Sequence, residues 1–289
     1  MRNSVIETLF YHLGRELLIS PMQNALANLQ TGNLQTAVKS DKTLVTQTDL
    51  ANEELLKAMT ARFFPEIPFQ GEEGGTQDNR QHKYEFQADP MDGTRLFADE
   101  SPGSSILLAL YDTQSQTIPA CHVGCIATGR VWSACAGQPV IRKNIHNPQE
   151  TVVKVNQRQL SEQSSLRIDV SHGFNVFNDE QAARLFAGMQ RLGRSVFYGS
   201  NCLNQALLAN GGIDGAVSSA KGGPWDLAAG CCLVPAASGV TYAYRAEGEK
   251  VGHKRLIKLD RLDPFEADVL VMGNTKATAD AIEQIVLDL

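Results

Sequence analysis

Apolar residues recur at helical spacing at Ile6, Leu9, Leu13 and Leu17, behind a Ser4-x-x-Glu7 capping-box pattern. Pro21 suits a first helical position, so it predicts a second helix running to about Leu29 and stopping near Gly32. Thr43–Val45 reads as short and extended. Asp49 to Phe64 reads as a helix with Leu55, Leu56, Met59 and Phe63 on one side, ended by Pro65. The texture then changes. Ile67–Gln70 predicts a short strand leading into Gly71-Glu72-Glu73-Gly74-Gly75, and the polar stretch Thr76–Lys83 a loop. Tyr84–Ala88 is a strand that enters Asp89-Pro90-Met91-Asp92-Gly93-Thr94. Ser104–Tyr111, Ile118–Ala127 and Arg130–Ala136 follow as antiparallel strands separated by turns.

The second half alternates strand and helix. Leu166–Ser171, Val196–Tyr198, Ile213–Ser218 and Val269–Met272 read as strands. Glu180–Leu192, Cys202–Ala209, most of Trp225–Ser238, and Lys276–Leu287 read as helices. This mixture predicts layered α/β packing. The chain shows no internal repeat and no low-complexity segment. A weak boundary near Asn147–Glu150 divides subregions of about 1–147 and 148–289.

Composition narrows the classes. The chain has 289 residues, 43% hydrophobic and 20% charged, which excludes a disordered polymer. Its 26 basic and 32 acidic residues give a net charge of −6, which speaks against a nucleic-acid polymer as partner. No apolar run approaches the roughly 18 residues of a membrane span. The N-terminal pattern is interrupted by Glu7, Arg15 and Glu16, unlike a signal peptide, so a cytoplasmic protein is expected. The six cysteines form no CxxC pair and no zinc spacing, and read as buried thiols. No GxxxxGK[ST] loop occurs.

The chemistry concentrates in carboxylates at strand ends: Asp49, Glu72, Glu73, Asp89, Asp92 and Asp226. Pro90 removes an N–H, so the strand before it cannot simply continue. Asp89 and Asp92, three residues apart across a turn, are able to converge. Two bare carboxylates about 4 Å apart repel by roughly 4 kcal/mol at an effective dielectric near 20. Either one takes a proton, or cations sit between them. Hard divalent ions such as Mg²⁺ prefer such oxygens, and the Met91 carbonyl offers one more. Gly93 lets the backbone approach a ligand closely, and the start of a short helix over Thr94–Asp99 suits a phosphate. The same hexapeptide also fits a plain turn capped by Asp92. Taken singly, Asp49 is a helix N-cap, Gly71-Glu72-Glu73 a solvated loop, and Trp225-Asp226 a helix start. Those readings leave the joint occurrence, in this order, unexplained.

Val45-Thr46-Gln47-Thr48-Asp49, Gly71-Glu72-Glu73, Asp89-Pro90-Met91-Asp92-Gly93-Thr94 and Trp225-Asp226-Leu227-Ala228-Ala229-Gly230 together resemble the inositol monophosphatase family of metal-dependent, often lithium-sensitive phosphatases. Gly199–Ala216 and Asp268–Ile285 look like that family's C-terminal portion, so the resemblance covers nearly the whole chain as one domain. It implies a layered αβαβα sandwich of the inositol monophosphatase and fructose-1,6-bisphosphatase type. It also implies Mg²⁺-dependent hydrolysis of a small phosphate monoester, with two or three ions per site. Carried over by position, Glu72, Asp89 and the Met91 carbonyl hold one ion. Asp89, Asp92 and Asp226 hold a second, and Asp49 with Glu72 serves a third. Thr94, bonded to Asp49, helps orient the attacking water. The Gly93 and Thr94 N–H groups bind phosphoryl oxygens, and Asn201 faces the leaving group. Direct attack by metal-activated water, without a covalent intermediate, follows. The family's members are often homodimers, and the residues neither require nor forbid that here.

One departure bears on substrate. Inositol phosphatases of the family commonly carry a glutamate seven residues before the Asp of Trp-Asp; here that position is Ser219. A short neutral group cannot make the same charge-assisted contacts to hydroxyls. Bisphosphates such as 3′-phosphoadenosine 5′-phosphate or fructose 1,6-bisphosphate, and histidinol phosphate, therefore stand beside polyol and sugar phosphates. Lys221 either reaches a second phosphate or is simply solvated. A haloacid-dehalogenase-like reading fails, because that motif spaces its aspartates by two and lies near the N-terminus. A non-catalytic phospho-ligand binder would lack a metal ligand, and none is missing.

Overall fold

The computed structural model describes residues 4–32, 34–40, 43–74, 82–147, 149–161, 166–172, 176–220, 222–248 and 255–289, with side chains 170–172 left aside. Gly75, most of the predicted loop Thr76–Lys83, and Lys221 lie outside them. In chain order the first elements are α1 (Val5–Thr31), β1 (Thr36–Val38), β2 (Leu44–Thr46), α2 (Gln47–Phe63), β3 (Phe69–Gly71), β4 (Tyr84–Asp92) and α3 (Thr94–Ala98). A meander follows through β5 (Ser105–Asp112), β6 (Thr117–Cys125), β7 (Arg130–Cys135), β8 (Val140–Asn144) and β9 (Thr151–Val153). The second half runs β10 (Arg167–His172), α4 (Asp179–Leu192), β11 (Arg194–Val196), α5 (Asn201–Ala209), β12 (Gly215–Ser219) and α6 (Trp225–Ala236). It ends with β13 (Val240–Glu247), β14 (Arg255–Lys258), β15 (Val269–Gly273) and α7 (Lys276–Leu287).

Two sheets organise these elements. One has seven strands in the order β3-β4-β5-β6-β7-β8-β9, the other six in the order β11-β10-β12-β15-β13-β14. α1 and α2 cover the outer face of the first sheet, while α4 and α7 cover that of the second. α5 and α6 lie between the sheets, and every residue of α6 from Trp225 to Val234 is buried. A helix that is apolar all round can be stable only with protein on both sides. The result is the five-layer αβαβα order that the resemblance implies. Among the described residues no helix is long and apolar enough to cross a membrane.

Four local expectations are corrected. Pro21 does not start a helix; it lies inside the single helix α1. Proline in a helix interior costs about 3 kcal/mol, but Leu17, Leu18, Met22 and Ala25 continue one buried face across it. Burial of four side chains, at roughly 1.5–3 kcal/mol for each large one, outweighs the loss. The N-cap of α2 is Thr46 rather than Asp49, and Asp49 closes the capping box from the third helical position. The strand through Tyr84 does not stop at Pro90. Asp89 faces Leu107 and Asp92 faces Ser105, so three steps on β4 oppose two on β5. This bulge accommodates the missing N–H and bends the strand end toward the inner layer. β11 also ends at Val196, before the predicted Tyr198.

The core also holds a titratable group. His122 is fully buried, with Nδ1 2.9 Å from Ser133 Oγ and Nε2 3.0 Å from the Phe10 carbonyl. The carbonyl can only accept, so Nε2 carries the proton and Nδ1 accepts from Ser133. Burial lowers the ring to about 3, against the Phe10 bond and helped by the charge of Lys143. Because the folded pKa lies below the unfolded one, this contribution is whole above about pH 6.5 and is lost as pH falls toward 3. By pH 5 the loss is about 2 kcal/mol. Denaturant titrations at pH 7 and 5 should show that decrease in the parent chain and little of it in His122→Gln. Equal decreases in both would remove His122 as the cause.

Candidate active site

The β4 bulge, the N-terminus of α6 and the loop after β3 deliver acidic side chains to one place. Asp89, Asp92 and Asp226 are buried, and one oxygen from each lies within 4.8 Å of the others. Each is held by backbone or hydroxyl donors. Asp89 Oδ1 accepts the Met91 N–H at 2.9 Å. Asp92 Oδ2 accepts the Cys202 N–H at 2.6 Å and Ser105 Oγ at 3.2 Å. Asp226 Oδ2 accepts the Gly222 N–H at 2.6 Å. Burial, then the charges of Glu72, Asp92 and Asp226, hold the Asp89 carboxyl well above the usual carboxylate range.

Glu72 lines the same cleft but bonds Lys39, whose Nζ is 3.1 Å from Glu72 and 2.7 Å from Glu73. Burial pushes Glu72 up to about 7, with Lys39 working against it and the charges of Glu73 and Asp226 adding to it. Burial alone would lower Lys39, but its bond to Glu73 and the charge of Glu72 push it up to about 12. Sequence reasoning missed Lys39. It sits after the exposed strand β1, and only the fold brings it to residues more than thirty positions away.

Asp49 is fully buried at the start of α2. Its Oδ2 accepts the Thr46 N–H at 2.9 Å and the Thr46 hydroxyl, while Oδ1 accepts Thr94 Oγ1 at 2.9 Å. Thr94 Oγ1 is also 3.1 Å from the Met91 carbonyl. Burial raises Asp49, against the bonds from Thr46 and Thr94. Gly93 takes φ +85°, and a Cβ there would come within 2.9 Å of Ser200 Cβ. Glycine is therefore required both for the left-handed turn and for the approach of α5.

Glu72, Asp89, Met91, Asp92, Gly93 and Thr94 line a cleft of about 470 Å³, together with Asn201, Ser219 and Asp226 from the second half. Asn201 is the first residue of α5, whose N-cap is Ser200. The all-carboxylate donor set suits hard divalent cations, and among the described residues no basic side chain pairs with Asp89 or Asp92. Cys202 adjoins the cluster, yet burial and the charges of Asp92, Asp89 and Asp226 hold its thiol well above its ordinary range, so it stays protonated.

The profile of the inositol monophosphatase family matches residues 11–285. A 3′(2′),5′-bisphosphate nucleotidase CysQ of Haemophilus influenzae is 24% identical over 226 residues, 76% of this chain and 80% of the relative. A fructose-1,6-bisphosphatase/inositol-1-monophosphatase of Aquifex aeolicus is 26% identical over 248 residues, 86% and 83% of the two chains. The crystal structure of the extragenic suppressor protein suhB from Bartonella henselae superposes with a TM-score of 0.76 at 18% identity, covering 95% of this chain and 97% of that one.

Proposed function

The chain belongs to the inositol monophosphatase family of metal-dependent phosphatases, and we propose that it hydrolyses a small phosphate monoester by direct attack of water, with Mg²⁺ as its cofactor. The observation that carries this reading is the meeting of Asp89, Asp92 and Asp226, all buried, with one oxygen of each within 4.8 Å of the others. Glu72, Asp89 and the Met91 carbonyl would hold one ion, and Asp89, Asp92 and Asp226 a second. Asp49 and Glu72 would serve a third. Bound cations supply charge neutralisation at the phosphoryl group and make water a stronger nucleophile.

The chain's own groups position and deprotonate. Thr94 Oγ1 donates to Asp49 Oδ1, which leaves its lone pairs to accept a proton from the incoming water. The raised pKa of Asp49 suits it to receive that proton through Thr94. The Gly93 and Thr94 N–H groups would take phosphoryl oxygens. Asn201 and Ser219 border the space left for the alcohol that departs. With Cys202 protonated, the nearest thiol is a poor nucleophile, which supports water in that role.

Phosphate release from a panel of monoesters should require Mg²⁺ and disappear with a chelator. Rapid-quench kinetics should show alcohol and phosphate appearing together, with no burst. A burst of alcohol, or a trapped phosphoryl-aspartate, would overturn direct attack.

A further inference from the structure

The buried face of α2 is polar where it approaches the acidic cleft. Thr48, Asp49, Asn52 and Glu53 are all buried, and the face turns apolar only at Leu56. Buried polar groups cost stability unless each is hydrogen-bonded, and the partners of these four show what the helix holds. Asp49 reaches Thr94. One turn on, Asn52 Nδ2 donates to the Pro90 carbonyl at 3.1 Å, and its Oδ1 accepts from Asn24 Nδ2 at 2.9 Å. Pro90 lies in the β4 bulge between Asp89 and Asp92, where the register to β5 shifts. Asn52 therefore fixes, from α2, the peptide that precedes the Met91 carbonyl. Glu53 holds a second segment. Its Oε2 accepts the Glu73 N–H at 2.8 Å, and its Oε1 pairs with Lys57 Nζ at 2.9 Å. A Cβ on Gly71 would come within 2.3 Å of Oε2, and one on Gly74 within 2.6 Å of Oε1. The loop 71–74 curls around this carboxylate, and the two glycines make the close approach possible. Glu72, between them, lines the cleft, while its N–H donates to the Ala88 carbonyl at 3.1 Å, next to Asp89. Neighbouring side chains of one helix thus grip both segments that carry Glu72 and Asp89, and neither of them lines the cleft.

We propose that Asn52 and Glu53 are positioning residues that fix Glu72 against Asp89 and the Met91 carbonyl, and so set the affinity for the ion those three groups would hold. This rests on the reading of the cleft as the metal centre of a phosphatase. Ligands ordered before the ion arrives bind it without a further ordering cost, and removing the outer partner of a metal ligand typically lowers affinity about 10–100-fold. Mg²⁺ binding to the full, metal-free chain is measured by titration calorimetry, with melting temperature in chelator and turnover of p-nitrophenyl phosphate alongside. Glu72→Gln identifies the binding event that needs Glu72. Glu53→Ala and Asn52→Leu should each weaken that event about tenfold or more. Excess Mg²⁺ should then return kcat to near the parent value with KM for the ester unchanged, because neither side chain meets ion or substrate. Glu53→Gln, which keeps an oxygen for the Glu73 N–H, should recover most of the affinity. Should Glu53→Ala fail to fold, Glu53→Asp, whose carboxylate no longer reaches the loop, carries the same expectation. Glu54→Gln alters the other, exposed partner of Lys57 and should leave Mg²⁺ affinity unchanged. A lower melting temperature with unchanged Mg²⁺ affinity in the Asn52 and Glu53 variants would make them scaffold residues and overturn the proposal. Mg²⁺ binding by the parent that Glu72→Gln leaves untouched would overturn it too. A parent chain that binds no Mg²⁺ would overturn the metal reading of the cleft as well.

Discussion

Asp89→Asn is expected to lower kcat/KM at saturating Mg²⁺ by at least about a thousandfold, and at the same time to raise the melting temperature of the metal-free protein. The two effects have one origin. Asp89 is buried among Glu72, Asp92 and Asp226, each of which raises its carboxyl further above the range that burial alone sets. Without cations the cluster is a source of repulsion, and an uncharged isostere removes part of it. A relief of 1 kcal/mol corresponds to about 2–4 °C for a chain of this class. Bound cations reverse the sign, because the carboxylate is then a ligand whose loss removes several kcal/mol of transition-state stabilisation, at about 1.4 kcal/mol per decade of rate. Thermal melts in chelator and in Mg²⁺ separate the two states. Parent chain in excess Mg²⁺ should gain stability, by roughly 2.7 kcal/mol when the ion is at a hundred times its Kd, and Asp89→Asn should gain much less. Unchanged activity, or a Mg²⁺ response equal to that of the parent, would dismiss the carboxylate cluster as the metal centre.

The residues of that cluster were legible because each sits in a short segment with its own turn chemistry. Asp89-Pro90-Met91-Asp92-Gly93 is a bulge followed by a left-handed glycine, and Trp225-Asp226 opens a helix behind Gly223-Pro224. The layered α/β class was legible because strands and helices mix along the chain, and the five-layer order was implied by the family resemblance; α6, apolar on every side, fits it by lying between the two sheets. What stayed hidden depends on tertiary placement. The interior position of Pro21 reflects burial along α1, which no local propensity weighs. The strand Val240–Glu247 was overlooked because its outward residues are aromatic as well. Tyr242 reaches Asp280 at 2.6 Å and Tyr244 reaches Glu283, both carboxylates lying on α7, so apolar character appears on both faces. Lys39 lies outside any motif and acquires meaning only from the two glutamates that face it.

Thr94→Val tests the proton path separately from the metal centre. Valine keeps the shape of threonine and deletes the hydroxyl that joins Asp49 Oδ1 to the Met91 carbonyl. Loss of a positioned proton acceptor costs about 10²–10⁴ in rate, so kcat should fall about a hundredfold or more while KM moves little. Thr94→Ser, which keeps the oxygen, should recover most of the activity. Asp49→Asn should cost a comparable factor, and the double variant Asp49→Asn, Thr94→Val little more than either, since both residues act through one hydrogen bond. Stability distinguishes them. Asp49 also closes the capping box of α2 through Thr46, a contact worth about 1 kcal/mol, whereas Thr94 has no part in that cap. The melting temperature should therefore drop in Asp49→Asn and hold in Thr94→Val. If kcat instead follows melting temperature across the series, the two side chains serve the scaffold alone, and the proton must leave the attacking water by another route.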